Sequence, residues 1–316
     1  MKKVLVFGLL LMTLGIKAQS LKTDEIVLTP SWQAQAEYAG IYVADVKGFY
    51  KDVGLNVRIQ HPALSTSPIK YLKDGTAQVI VNHLLGALRE TGNGFRMINV
   101  LQMSQNSTQV IVAHTPISQP KDLKGKRIGV WNSGFVELVY LMNEEHHLDM
   151  EFIPMVNNIN LFISGAIDAT IAMSYNEYYQ LLMAGLRLGE DQVISLANVG
   201  YNIPEDGLYV TADYFRTHRD EVERIANATR KGWEWAAEHP EETLDIVMEA
   251  TKKYGVKTNR PAQKWMLEKF LASMIENQEG KRTYVLDPSA LDEANQMLLT
   301  MKAIQKRITY KQITEP

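Results

Sequence analysis

Cysteine is absent from all 316 residues. That excludes disulfides, a thiol nucleophile, thiolate metal ligation and a lipid carried on an N-terminal cysteine. Positive charge is not in excess either. The 33 Lys and Arg stand against 36 Asp and Glu, a formal net charge of −3, so no basic surface points to nucleic acid as a partner. Beyond residue 18 no apolar run approaches the roughly 20 residues that span a bilayer. The sequence has no Gly-x-Ser-x-Gly, no His-Glu-x-x-His and no phosphate loop. Gly92-Asn93-Gly94 lacks the third glycine of a dinucleotide fingerprint and reads as a turn. His146 and His147 are adjacent, about 100° apart on a helix, so they cannot share one metal. No metal and no cofactor are expected.

What is present describes an exported globular chain. Met1-Lys2-Lys3 is a cationic start, Val4 to Met12 is apolar, and Ile16-Lys17-Ala18 fits a cleavage site. Residues 1–18 therefore read as a signal peptide, and the mature protein as a soluble periplasmic one without a lipid anchor. The remaining length is enough for two cores, because single cores stop growing near ~250–300 residues.

The order of elements gives the architecture. Short β-branched runs alternate with amphipathic stretches over 26–113, and the alternation restarts over 127–196. Ala36 to Asp52 reads as one helix, Gly134 to His147 as another, and Gln109 to Ala113 as a strand ending the first unit. After Leu208-Tyr209-Val210 only helices follow. This predicts an α/β protein of two lobes, each a mainly parallel sheet flanked by helices, with residues 19–113 plus 206–316 in lobe 1 and 114–205 in lobe 2. Two crossings, near 113 and 205, would form a hinge behind a cleft.

In open α/β sheets, ligands bind at the carboxyl ends of the strands. The loops there contain Trp32, Asn82, His83, Trp131, Asn132, Ser133, Gly134, Asn158, Tyr175, Glu177 and Asp206, and no Arg or Lys. Aromatic faces suit a flat ring, and amides and acids suit exocyclic amines. The expected ligand is a small aromatic molecule, neutral or cationic. Tyr42 lies mid-helix at core spacing and is a further candidate for the cleft. Each residue also has a plainer role. Trp32 could pack between helix and sheet, Asn132 and Ser133 could cap the helix opening at Gly134, and Glu177 could favour a first helical turn. That same helix opening leaves an anionic ligand such as a sulfonate or nitrate as an alternative.

Several stretches together carry a resemblance. Trp32 with Ala36 to Ala44, Lys47 to Val57, Asp122 to Trp131, Tyr175-Asn176-Glu177, and Ala228 to Trp233 with His239 to Glu242 resemble a family of bacterial thiamine-pyrimidine-precursor binding proteins and fungal thiamine pyrimidine synthases. The Lys47–Val57 block is shared with sulfonate, nitrate and riboflavin-precursor binders. The resemblance implies a periplasmic binding protein type II fold and the substrate-binding role in an ABC importer, with an inner-membrane permease as partner. It also implies that Trp32 stacks on the ring and Glu177 accepts from its amino group, with Asn158 and Asp206 carried over from the same pattern. The fungal synthases use a cysteine-rich motif, pyridoxal phosphate and iron. A chain without cysteine is expected to bind rather than catalyse, an exported synthase-like enzyme being the alternative.

Overall fold

The computed structural model describes residues 25–64, 66–132, 135–156, 158–274 and 282–315. The expected signal peptide, Ser133 and Gly134 lie outside them. Among the described residues no helix is long and apolar enough to cross a membrane.

The chain first lays down β1 (Glu25–Thr29), α1 (Ala39–Val46), α2 (Phe49–Asp52), β2 (Asn56–Ile59), α3 (Pro68–Lys73), β3 (Val79–His83), α4 (Leu84–Gly92) and β4 (Met97–Gln102). It continues with β5 (Gln109–Ala113), β6 (Arg127–Trp131), α5 (Glu137–His146), β7 (Glu151–Met155), α6 (Asn160–Ile163), β8 (Ala169–Met173), α7 (Glu177–Met183) and β9 (Val193–Ser195). Then come β10 (Asp206–Thr211), α8 (Ala212–Thr217), α9 (Arg219–Glu238), α10 (Pro240–Lys253), α11 (Arg260–Ser273), α12 (Pro288–Thr300) and α13 (Tyr310–Thr314).

Two five-stranded sheets result, ordered β2-β1-β3-β10-β4 and β7-β6-β8-β5-β9. In the first, β10 runs antiparallel to both its neighbours while β1, β2 and β3 pair in parallel. In the second, β5 plays the same part against β8 and β9. Each sheet thus has four strands in one direction and one reversed strand next to a crossing. This corrects one expectation. Its place in the chain puts the strand Gln109–Ala113 with the first unit, but all five of its residues pair with β8 of the second sheet. The first crossing is therefore 103–108. The second lies between β9 and β10.

Two predicted helices also differ. The stretch 36–52 is a 3-10 turn at Ala36–Tyr38, then α1, then α2. Gly48 stands between the helices at φ +79°, a left-handed conformation that ends α1 and redirects the chain. The helix expected from Gly134 begins only at Glu137, after Phe135 at φ +64°.

The core of the first lobe is built on α1 against α9. Gly40 faces the ring of Trp233, which is fully buried, and Gly232 faces the backbone of Gly40. Small residues at both positions allow the two helix axes to approach closely. Trp233 then stacks on Phe270 of α11 at 5.1 Å. This ties the C-terminal helices to the N-terminal strands.

The crossings are joined by side chains. The buried Glu205 carboxylate accepts from Ser107 Oγ at 3.0 Å, Thr108 N at 2.9 Å and Thr108 Oγ1 at 2.6 Å. Ser104 Oγ accepts from the Glu205 and Asp206 amides at 3.1 and 2.8 Å, and Asn202 Oδ1 accepts from Ser107 N at 2.9 Å. Buried backbone groups that the sheets leave unpaired at the crossings thus find partners across them.

Candidate functional site

The carboxyl ends of the strands open on a cavity of about 400 Å³ between the sheets. Its walls hold aromatic and sulfur side chains from both lobes: Trp32, Trp131, Phe135, Tyr175, Tyr179 and Met266. Its polar lining includes Glu37, His83, Asn158, Asn176, Glu177 and Gln263.

Of the residues expected at the site, Trp32, His83, Trp131, Asn158, Tyr175 and Glu177 reach this cavity. Trp32 leads out of β1, and its carbonyl accepts from His61 Nδ1 at 2.6 Å. His61 Nε2 in turn lies 2.9 Å from the Tyr42 hydroxyl. With Nδ1 donating, Nε2 is an acceptor, so Tyr42 donates and the imidazole is neutral. Burial holds the His61 pKa down at about 4, consistent with that assignment. Tyr42 itself does not line the cavity. It is 2% exposed, in the core beneath the Trp32 loop, where its hydroxyl is taken up by His61.

Three other expectations are displaced. Asn82 points into a side pocket beside Gly86, where its Nδ2 donates to the His83 carbonyl. Asn132 is exposed and faces a separate groove with Tyr140 and Phe152. Asp206 lies one layer below the cavity floor, 1% exposed, with Oδ1 3.3 Å from His83 Nε2.

Glu177 opens α7. Its Oε2 accepts from the Met173 amide at 2.8 Å and its Oε1 from Asn176 Nδ2 at 3.0 Å. Burial pushes its carboxyl up to about 7, partly offset by the Met173 amide. The helix-start role and the cavity position hold together, since each carboxylate oxygen has a second lone pair.

Two groups of lining residues were not foreseen. Glu37 is 3% exposed, bonded by Ser31 Oγ at 3.3 Å and by Gln35 Nε2. Its pKa is raised well above the carboxylate range, first by burial and then by neighbouring Asp206. The signal was a single carboxylate in an otherwise apolar run from Ala36 to Ala44. The second group, Val256 to Asn259 with Gln263 and Met266, comes from the α10–α11 connection and α11. It includes the exposed Lys257, so the rim carries a cation that the strand-end loops do not supply.

The lobes touch on either side of the cavity. Trp265 of α11 stacks on Tyr179 of α7 at 4.9 Å, and its Nε1 donates to the Ser174 carbonyl at 2.9 Å. Arg89 of α4 pairs with Glu137 of α5. Because this pair is partly buried and spans the lobes, Arg89→Ala is expected to weaken capture of a ligand that requires closure, by about 1 kcal/mol. A dissociation constant equal to the parent's in calorimetry would show that the pair does not bias closure.

The NMT1/THI5-like family description matches residues 35–243, two thirds of the chain. The chain belongs to the NMT1/THI5-like family. A formylaminopyrimidine-binding protein of Halalkalibacterium halodurans is 24% identical over 273 residues, covering 83% of this chain and 79% of that protein. A 4-amino-5-hydroxymethyl-2-methylpyrimidine phosphate synthase of Candida albicans is 21% identical over 237 residues, 70% of each chain. The periplasmic aliphatic sulphonate-binding protein SsuA of Escherichia coli superposes over 92% of both chains with a TM-score of 0.66 at 12% identity. At that identity the likeness shows the fold, and this member of the family has the two-lobed periplasmic binding protein architecture.

Proposed function

We propose that this NMT1/THI5-like protein is the extracytoplasmic substrate-binding component of an ABC importer, capturing a small aminopyrimidine-like ring between its lobes. The observation that carries this is the aromatic cavity with carboxyl groups on its floor and wall. Trp32 and Tyr175 offer stacking faces, and Glu177 and Asn176 offer acceptors to an exocyclic amine. The pyrimidine-binding relative and the fold support the same reading. Closure would exclude water and present the closed form to an inner-membrane permease. Residues 109–113 would move with the second lobe, whose sheet they join. A fungal synthase is also a relative, but this chain has no cysteine for a cysteine motif, which supports binding over catalysis.

Glu177→Ala is expected to lower affinity for an aminopyrimidine by about 1–3 kcal/mol, the usual loss when a buried partner is left unpaired. Calorimetry showing unchanged affinity would remove Glu177 from the site. Lys257 at the rim favours one second reading, a ligand bearing an anionic substituent. A thermal-shift screen separates the two. Stabilisation by thiamine and its pyrimidine fragments supports the first, and stabilisation by alkanesulfonates or nitrate alone supports the second.

A further inference from the structure

The floor of the cavity poses a problem of charge. Glu37 and Asp206 lie within hydrogen-bonding reach of each other. Among the described residues neither Asp206 oxygen has a hydrogen-bond donor, and His83 Nε2 lies 3.3 Å from its Oδ1. Two ionised carboxylates in that contact would offer acceptors only, with nothing between them. A single proton shared between them resolves this.

Among the described residues around the pair, each charged or titratable group is neutral or already engaged. His83 is kept neutral by burial, which lowers its pKa. Glu205 is occupied by Ser107 and Thr108. The Tyr38 and Tyr175 hydroxyls are held in their protonated form by burial. Glu177 adds a further carboxyl on the opposite wall, and Arg89 is already paired with Glu137.

We propose that Glu37 and Asp206 form a one-proton carboxyl pair that takes a basic ring nitrogen, passing that proton to it, so that the ring cation replaces the shared proton as the counter-charge to both carboxylates. The O–H bond of Glu37 breaks and an N–H bond forms on the ligand. No electrons change hands, and no proton is drawn from solvent. The ligand class is an aminoheterocycle with a ring nitrogen beside an exocyclic amine. Glu37, which lines the cavity, makes the contact, and Asp206 behind it supplies the second negative charge. The inference rests on the reading of the cavity as an aminopyrimidine site and adds the ionisation state in which such a ring is bound. Burial raises both members of the pair, Asp206 to about 7, so the proton is available at neutral pH.

The test is a titration of nitrogen-15-labelled 4-amino-2-methylpyrimidine into the protein near pH 8, where the free ring is neutral. The bound ring nitrogen is expected to resonate at the protonated position. Glu37→Gln is expected to bind at least ~10-fold more weakly and to lose that signature. Asp206→Asn, on the other member of the pair, is expected to lose it too. A neutral ring nitrogen in the parent complex, or a protonated one retained in Glu37→Gln, would overturn the inference and leave the aminopyrimidine site intact. No saturable binding by the parent protein would overturn both. If neither variant folds, infrared spectroscopy of the parent decides. A protonated carboxyl band at neutral pH in the free protein is expected, and its absence would overturn the pair.

Discussion

Gly232→Ala is expected to destabilise the protein by about 3 kcal/mol or more. The position is interior to α9, where alanine would ordinarily gain about 1 kcal/mol over glycine in helix propensity. Packing reverses the sign. A Cβ at 232 would stand 2.0 Å from the Gly40 carbonyl oxygen and 3.0 Å from the Ala44 Cβ. The first contact is with backbone, so no rotamer change relieves it, and the helices must separate. Separation would loosen Trp233, whose ring fills the space over Gly40 and whose Nε1 lies 3.1 Å from Met103 Sδ. Overpacking of this kind usually costs 1–3 kcal/mol and sometimes more. Gly48→Ala serves as a comparison. Nothing lies within 4 Å of a Cβ there, and only the left-handed φ resists it, for about 1 kcal/mol. Chemical denaturation of the two variants would check the ranking, and a Gly232→Ala variant as stable as the parent would show that α1 and α9 can move apart freely.

The second large effect is on pH dependence. Asp206 and Glu177 are each raised to about 7 by burial, and Glu37 and Glu205 are also raised. Between the ordinary carboxylate range and pH 7 the unfolded chain loses its carboxyl protons, while the folded chain keeps one on the Glu37–Asp206 pair and those of Glu177 and Glu205. The folded state binds more protons, so stability falls as pH rises through this window. His61 and His83 act in the opposite direction. Their folded values are depressed, so below about pH 6.5 the unfolded chain gains protons that the folded chain refuses. These three protons outweigh the two imidazoles. The melting temperature is therefore expected to be several degrees higher near pH 5 than near pH 7.5, a difference on the order of 2 kcal/mol. The double variant Asp206→Asn with Glu177→Gln removes one member of the pair and Glu177, and should flatten the profile. A parent protein more stable at pH 7.5 than at pH 5 would mean that these carboxyls are ionised in the fold.

Much of the architecture could be read from residue order, because β-branched runs and helical spacing mark elements locally. The strand-end loops could be read for the same reason, and six of the expected residues meet at one cavity. What could not be read has physical causes. The strand Gln109–Ala113 is equally apolar whichever sheet it joins, and only pairing with β8 decides. Tyr42 and Asp206 fall behind the cavity wall through the rotation of α1 and the depth of β10, neither of which spacing reveals. Glu37 was detectable as an isolated carboxylate in an apolar run, but its partnership with a residue 169 positions away was not. The contribution of α11 depends on Trp233, Phe270 and two glycines bringing distant segments together, and no local pattern in α11 announces it.

The position of β10 in the first sheet has a consequence for how the chain acquires its structure. This strand lies between β3 and β4, yet it follows them by about a hundred residues. The second sheet is made only of residues 109–195, all contiguous. Its pairings become available as soon as that stretch exists, whereas the first sheet stays divided until β10 arrives and is covered only when α9 and α11 follow. Long-range pairings of this kind fold slowly, because loop closure must precede the contacts that reward it. The order of events is therefore inverted relative to the order of the sequence. The second sheet draws all its strands from one stretch, and the first sheet closes only after that stretch, when β10 joins β3 to β4.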